Sequence, residues 1–548
     1  MSVRPRIDFV SPLPPVRSGI ADYSADLLPH LAAVADLRLI ALPGQDAVAG
    51  DWAVAPASEL GAGGRLPLYQ MGNNRHHEAV LELALRQPGV LTLHDLVLHH
   101  LLLDVTMGRN RFFAYKERLA RDHGWVGEAA ALAKRWGAYG AAPLFALPAH
   151  RTLLRRQRGV LVHSAWAAGL VEEDDPEVRV RAVPMGVPLP PPVDPAAARE
   201  LRARFGLPAE GPVVGSFGFQ TPIKRTAAAI HALAAPGLER VHMLIVGEVA
   251  PALDLESEAR RLGVADRLHI TGFLSFADFA AAIAAVDLCV NLRYPTAGET
   301  SASLLRVMAA GRPVIVSDYA QFAELPEAVA VKVPLGRDEA AALPAALREL
   351  LSSPERLRAM GEAARRHVAA RHAPERAAAA VGEACAEWAE AEPPGDAPSG
   401  AQLAVAAPGS IVWGRLDGEI EVAGAELPWP EGERRQLTIR LRNRGFARWD
   451  RGERGPGGIA VVVKLLAGGR DLLAGRPWLP LPRDLLPGEE IALTTEVRRP
   501  AGPPSPPRAP GTPRLPVPPG AIRLWIEPHM FGGVALSELG GPRWERDL

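Results

Sequence analysis

The chain has 548 residues, 48% of them apolar, with 61 Lys and Arg against 62 Asp and Glu for a formal net charge of −1. That length exceeds a single hydrophobic core and predicts two or three domains, while the balanced charge supplies no global argument for nucleic acid. The two cysteines, Cys289 and Cys385, sit in apolar or helical surroundings without metal or disulfide spacing, which fits a reducing compartment. Met1 to Arg6 lead straight into a five-residue strand-like run rather than the longer apolar segment of a signal peptide, and no window of about 18 uncharged apolar residues occurs. A cytoplasmic protein that does not span a membrane is expected.

From Arg6 to about Val183, short β-branched or leucine-rich runs (Ile7–Val10, Leu37–Leu42, Val90–Leu93, Val160–Val162, Val180–Val183) alternate with helical stretches. A second series runs through Val213–Phe217, Met243–Val246, Leu268–Thr271, Leu288–Leu292, Val314–Ser317 and Ala330–Val333, and ends in alanine-rich helices over Asp338–Leu351 and Pro354–Glu390. Alternation of this kind predicts two consecutive doubly wound α/β domains, residues 1–190 and 191–391, with a cleft between them. Neither first strand leads into a GxGxxG turn, which disfavours a dinucleotide-binding dehydrogenase. Pro- and Gly-rich residues from Glu392 onward predict a linker over 392–407. Beyond it, alternating runs at Gln436–Leu441, Ile459–Leu465, Ile491–Val497 and Ile522–Ile526 predict an all-β sandwich over 408–548, carrying a proline-dominated loop at 499–520.

The chemistry concentrates between Asn291 and Asp318. An apolar run ends at Asn291-Leu292, Pro295-Thr296-Ala297-Gly298 breaks it, and Glu299-Thr300-Ser301 leads into apolar helical spacing before Pro313-Val314-Ile315-Val316. Free N–H groups and the positive end of the helix dipole favour an anion in front of Glu299–Ala302. Lys224-Arg225 follow the first strand of the same domain and enter a helix, so the lysine either clamps a diphosphate against that turn or is a solvated cation at a helix start. His94 and Asp95 follow the strand Val90–Leu93, at the strand edge where open α/β sheets place ligands. His99 and His100 read as packing or surface residues. His163 precedes Ser164, which has the position of a helix N-cap, so a structural role is expected there. For Asp22, helix capping competes with acceptor binding.

The segment from about 5 to 385 resembles retaining glycosyltransferases of family 4. The carriers are Ser11-Pro12 through Gly19-Ile20-Ala21-Asp22-Tyr23-Ser24, Leu93-His94-Asp95, Val162-His163-Ser164, Val183-Pro184-Met185-Gly186-Val187, Phe217-Gly218 with Lys224-Arg225, Gly272-Phe273, and the run through Met308-Ala309-Ala310-Gly311-Arg312-Pro313. The resemblance implies the GT-B fold of two facing Rossmann-like domains, a nucleoside diphosphate sugar bound mainly by the second domain, and a saccharide or lipid-linked acceptor bound mainly by the first. It also implies no metal and no cofactor. Lys224 would hold the diphosphate, Gly272-Phe273 would border the base, and Glu299, Thr300, Ser301 and Ala302 would lie near ribose and phosphates. Gly19 would let backbone approach the donor, and His94 would stand near the transferred sugar. His94, Lys224 and Glu299 are the expected catalytic residues, and Asp22, His94 and Asp95 the expected acceptor contacts.

Two positions depart from the family pattern. Arg306 stands where a second glutamate belongs, with Glu299 one residue from the expected first; Phe219 stands where a phosphate-binding arginine is often found. Phe219, Arg225 and Arg306 remain donor-site candidates, Arg306 competing with a structural ion pair. Between Met107 and Arg158, eleven basic residues against three acids, interleaved with Phe112, Phe113, Tyr115, Trp125, Trp136 and Phe145, form an insertion. It is expected either to touch an anionic membrane surface or to cover the acceptor cleft as a helical subdomain. Leu441-Arg442-Asn443-Arg444-Gly445 with Trp449, then Trp478-Leu479-Pro480, Leu486-Pro487-Gly488-Glu489 and Pro500 before Arg523-Leu524-Trp525-Ile526, resemble immunoglobulin-like modules appended to bacterial envelope glycosyltransferases; Trp413, Trp449, Trp478 and Trp525 are either packing or a sugar-stacking platform. The rival to a transferase in envelope polysaccharide synthesis is a noncatalytic glycan-binding or scaffold protein derived from one.

Overall fold

The computed structural model describes residues 4–43, 50–135, 143–251, 253–336, 338–396, 418–444, 449, 451, 459–467, 470–473, 478–486, 488–499, 522–530, 534–535 and 543–548. The chain divides into two compact units, residues 1–105 with 150–397 and residues 106–149 with 398–548.

The first unit holds two parallel sheets, each flanked by helices. In the first, β1 (Arg6–Val10), β2 (Asp36–Ala41), β3 (Val54–Pro56), β4 (Leu66–Met71), β5 (Val90–Leu93), β6 (Gly159–Val162) and β7 (Val180–Ala182) are ordered β3-β2-β1-β4-β5-β6-β7. In the second, β8 (Val213–Phe217), β9 (His242–Val246), β10 (Leu268–Ile270), β11 (Leu288–Asn291), β12 (Val314–Ser317) and β13 (Ala330–Val333) are ordered β10-β9-β8-β11-β12-β13. Both are Rossmann-like orders that reverse direction beside their first strand, at β1/β4 and at β8/β11. That reversal opens a crevice at the carboxyl ends of the strands. β5, β6, β8, β11 and β12 are buried along their whole length, which is why they read as apolar runs without alternation, and β4 is equally buried. β4 escapes the sequence pattern because Pro67 and Gln70 interrupt its run, and it is nevertheless central.

The expected helix over Pro354–Glu390 is two helices, Pro354–Arg371 and Pro374–Trp388. Pro374 supplies the break and opens the second helix. That last helix returns to the first sheet's side of the unit. It packs along the first helix, Gly19–Val34, and Trp388 lies against Gly159, where a Cβ would stand 2.1 Å from the indole.

The second unit contains two antiparallel sheets. β14 (Gly418–Ala423), β15 (Arg434–Asn443) and β19 (Glu490–Arg498) form one, in the order β14-β15-β19. The other is built on β16 (Ile459–Ala467) and β20 (Arg523–Met530), with β17 (Arg470–Asp471) and β18 (Trp478–Pro480) on β16, and β21 (Val534–Ala535) and β22 (Trp544–Asp547) on β20. The period-two pattern of β15 sends Leu437, Ile439 and Leu441 inward against Val461, Val463 and Ile526. Trp429 and Trp449 are fully buried in this core, whereas Trp478 is partly exposed.

The basic insertion is divided: residues up to Ala149 belong to the second unit, whereas Arg151, Arg155, Arg156 and Arg158 lie in the first. Val126, Ala130, Ala146 and Leu147 complete the same core as the β-strands. Its long helix, Phe112–Arg135, bends at Gly124, whose φ of 58° interrupts the helical path. The part of the expected linker beyond Asp396, the proline tract after Arg499, Trp136 and Trp413 lie outside the described residues. No helix among the described residues is long and apolar enough to cross a membrane.

Candidate functional site

The turn after β11 is tied by one carboxylate. Glu299 Oε2 accepts hydrogen bonds from Thr296 Oγ1 and from the Ala297 amide, both at 2.9 Å, and its Oε1 lies 3.0 Å from Arg293 Nε. Gln321 Nε2 donates to the Glu299 carbonyl and to Thr296 Oγ1. Glu299 is therefore spent on closing its own turn and balancing a buried guanidinium. Ser301 Oγ then accepts from Leu304 N at 3.2 Å, the N-cap of the helix Ala302–Ala309. Gly298, with φ at +82°, is needed because a Cβ would stand 2.4 Å from Leu96 of the loop after β5. Val97 N of that loop donates to Ala297 O at 3.0 Å, so the turn is braced against the first sheet's half of the unit.

Facing the cap, the Lys224 ammonium donates to the Phe217 carbonyl at the end of β8. Ser303 Oγ donates to the same carbonyl at 3.3 Å and lies 3.2 Å from Ser301 Oγ. Gly218, at φ +91°, makes this convergence possible: a Cβ would lie 2.7 Å from Lys224 Nζ and 3.3 Å from Ser303 Oγ. Burial first, and the Arg293 charge second, push the Lys224 pKa down to about 7. A desolvated ammonium, two hydroxyls and a helix N-terminus thus meet at the β8/β11 crevice, and an anion there would restore what the lysine has lost in hydration. Asn291, buried at the end of β11, accepts from Ser301 Oγ at 3.4 Å, and its Nδ2 has no partner among the described residues.

Arg293, which the sequence reading passed over, is the charge centre of the region. It is buried, its guanidinium is desolvated, and the carboxylates of Glu299 and Asp95 oppose that desolvation. Asp95 belongs to the first half: its Oδ2 accepts from the Asn73 amide at 2.8 Å. Burial first and the Glu299 charge second push its pKa up to about 7.

His94 is enclosed. Its ring nitrogens lie 2.9 Å from Gln70 Oε1 and 3.1 Å from His163 Nε2, and the Tyr23 ring meets it edge-on at 4.8 Å. Burial drives its pKa well below the ordinary histidine value and lowers that of His163 to about 4. Ser164 caps the helix Ala165–Asp174 as expected, accepting from Ala167 N at 3.1 Å.

The remaining candidates separate. Arg306 reaches out of its helix to Asp26 Oδ2 of the first helix at 2.5 Å and lies over the Phe276 ring at 5.1 Å. It therefore links the two halves of the unit by an ion pair, while Asp22 stays exposed one turn away. Arg225 is bound to the buried Glu339 through both guanidinium nitrogens that face it. Phe219 and Phe273 are exposed, and Arg17 stacks on Phe273 at 4.9 Å. Gly272, at φ +68°, accepts from Gly247 N at 3.0 Å. Gly19 opens the first helix with nothing within 4 Å of where its Cβ would be. Thr300 and Ala302 are half-buried beside the Ser301 cap. Among the described residues, no group of three or more His, Cys, Asp or Glu is arranged to hold a metal ion.

Residues 212–353 match the family of glycosyl transferases group 1. A 123-residue stretch is 35% identical to 2-deoxystreptamine glucosyltransferase of Streptomyces kanamyceticus, covering 22% of this chain and 31% of that protein, so the chain spans under a third of that relative's length. Among solved structures, sucrose-phosphate synthase from Thermosynechococcus elongatus is similar at 20% identity and a TM-score of 0.48, over 70% of this chain and 98% of that one. Alr3699/HepE of Anabaena, in complex with UDP and glucose, is similar at 16% identity and a TM-score of 0.49, over 70% of this chain and 99% of that one.

Proposed function

We propose that the protein is a retaining, family 4 type glycosyltransferase that moves a hexosyl unit from a nucleoside diphosphate sugar to a saccharide or lipid-linked saccharide, in cell-envelope polysaccharide synthesis. One observation carries this proposal: the desolvated Lys224 and the capped helix start at Ser301–Ala302 meet at a sheet crevice, inside the segment that matches group 1 glycosyl transferases. A leaving diphosphate gains charge as the anomeric bond breaks, and preorganised cations and N–H groups aimed at it lower that barrier. Lys224 with the Ser301 and Ala302 amides takes that role. Glu299 acts by fixing the turn and holding Arg293. Gly19, Phe219, Gly272, Phe273 and Thr300 border the donor, and His94, Asp95 and Asp22 line the acceptor side. The name of the Streptomyces relative, a glucosyltransferase, supports a hexosyl unit.

The test is donor hydrolysis and transfer across a panel of nucleoside diphosphate sugars, with Lys224→Ala alongside. The variant is expected to lose about 10²–10³ in kcat, the usual cost of removing one such contact.

A second reading, a noncatalytic glycan-binding protein, draws support from two commitments: Glu299 is tied into its own turn and Arg306 is paired with Asp26. Equal inertness of wild type and variant across the whole panel, with retained binding to a glycan array, would establish it. For the second unit we propose an immunoglobulin-like module. Its helix Phe112–Arg135 exposes Phe113 and Trp125 among arginines, which supports peripheral contact with an anionic membrane. Absence of pelleting with anionic liposomes at low salt would remove that proposal.

A further inference from the structure

The buried histidines at the carboxyl edge of the first sheet constrain one another's protons. His163 Nδ1 lies 3.2 Å from the Val183 carbonyl, which only accepts, so the His163 hydrogen belongs on Nδ1 and its Nε2 carries a lone pair. That lone pair faces His94 Nδ1 at 3.1 Å. On its other side, His94 Nε2 lies 2.9 Å from Gln70 Oε1, while Gln70 Nε2 lies 3.3 Å from Thr92 Oγ1. With the amide in that orientation, His94 must carry its hydrogen on Nε2. Two bare nitrogens would then meet at 3.1 Å unless a further proton made one ring cationic.

A half-turn of the Gln70 amide, which exchanges atoms of nearly equal shape, removes the conflict. Thr92 Oγ1 then donates to Gln70 Oε1, Gln70 Nε2 donates to His94 Nε2, His94 Nδ1 donates to His163 Nε2, and His163 Nδ1 donates to Val183 O. Each contact of the chain then pairs one donor with one acceptor at zero net charge. Burial decides between the two arrangements, since His94 is 4% and His163 9% exposed, and a cation there lacks compensation. The titratable groups facing His94 are His163, His77 and Tyr23; His163 also faces His372. None of them is a carboxylate.

We propose that Thr92, Gln70, His94 and His163 form one uncharged, directional hydrogen-bond chain with both imidazoles protonated on Nδ1, in which Gln70 and His163 are positioning residues for His94. Both nitrogens of His94 are committed within it. His94 therefore contributes to the acceptor side through its fixed place and shape, and exchanges no proton during transfer; only this kinetic consequence rests on the proposed glycosyltransferase reading.

The experiment uses the full chain labelled with ¹⁵N-histidine and long-range ¹H–¹⁵N correlation spectra, with His94→Asn and His163→Asn identifying the two rings. At pH 7 both are expected to show a protonated Nδ1 and a bare Nε2, unchanged between pH 6 and 8. A His94 hydrogen on Nε2, or an imidazolium signature in either ring, overturns the proposal. Gln70→Glu puts a carboxyl beside Nε2, which as a carboxylate only accepts, so the pair should become cationic and titrate inside that range; a His94 singly protonated on Nε2 in this variant at pH 6 also overturns the proposal. Should Gln70→Glu not fold, Gln70→Met removes the Gln70 bond and leaves His163 as the anchor. The His94 hydrogen should then stay on Nδ1, and its loss from there counts against the chain. Where transfer is measurable, wild-type kcat should show no ionisation from this pair, and Gln70→Glu should add one, with kcat changing more than KM. Spectra as expected without any transfer would defeat the glycosyltransferase reading alone; transfer with the other tautomers would defeat the chain alone.

Discussion

The two sheets of the first unit share one order over six strands, the first adding β7 at its edge, and end in opposite chemistry. At the carboxyl edge of the first sheet lie His94, His163, His77 and Tyr23, imidazoles and a phenol that are uncharged at neutral pH. At the β8/β11 edge, Lys224 and Arg293 are held desolvated, with Glu299 as the carboxylate beside Arg293. The strand order fixes where a crevice opens; the side chains at the strand ends fix what enters it. An uncharged polar edge suits a ligand made of hydroxyls, and a cationic, poorly hydrated edge suits a phosphate. This division of labour supports the proposed split between acceptor and donor.

Removing the charge centre of the second edge tests that contrast most severely. Arg293→Leu leaves Glu299 and Asp95 without their shared cation, so a loss of about 3–5 kcal/mol in stability is expected, as for a broken buried pair. Chemical denaturation checks it, and a loss below 1 kcal/mol would mean that the carboxylates are balanced otherwise. Next comes Lys224. Its depressed pKa means that the free protein sheds this proton as pH rises through about 7, whereas a bound diphosphate favours the charged form. Binding of a nucleoside diphosphate should therefore take up a proton at pH 7.5–8 and weaken as pH rises. Calorimetry in buffers of different ionisation enthalpy measures that uptake, and Lys224→Ala should abolish it.

Much of this contrast was legible in the sequence, and the illegible part has physical causes. Fully buried parallel strands announce themselves as apolar runs, so both α/β series and the turn at Glu299–Ala302 could be read directly. β4 could not, because Pro67, Tyr69 and Gln70 spoil its run while the sheet buries it all the same. Arg293 was missed because an arginine between Leu292 and Tyr294 carries no periodic signal; its meaning comes from Glu299 and Asp95. Arg306 was seen as anomalous, yet its partner Asp26 is 280 residues away. The insertion read as part of the first domain because sequence adjacency says nothing about which core Val126 and Leu147 complete.

The Arg306–Asp26 pair crosses between the halves that carry the two edges, and it is partly solvent-accessible. Its worth is accordingly smaller, about 0.2–1 kcal/mol, the range for exposed pairs. Arg306→Glu sets a third acid beside Asp22 and Asp26 and should cost more than Arg306→Ala. Combining it with Asp26→Arg should recover most of the loss in a double-mutant cycle. A cycle with no coupling would show that the halves are held by the Gly298–Leu96 contact and its neighbours instead.

A pH-dependent effect concerns Asp95, the carboxyl of the first half that faces the charges of the second. Its pKa is raised from 3.8 to about 7, so between those values the folded state binds a proton that the unfolded chain has released. Stability from this group is thus fully present below 3.8 and is lost progressively as pH rises to about 7, where the loss is complete. Asp95→Asn removes the ionisation while keeping the shape. It should raise the melting temperature at pH 5 and raise it further at pH 8, at roughly 2–4 °C for each kcal/mol relieved. If the increase is instead equal at both pH values, Asp95 is already ionised at pH 5, Arg293 outweighs burial at this position, and the first edge is charged after all.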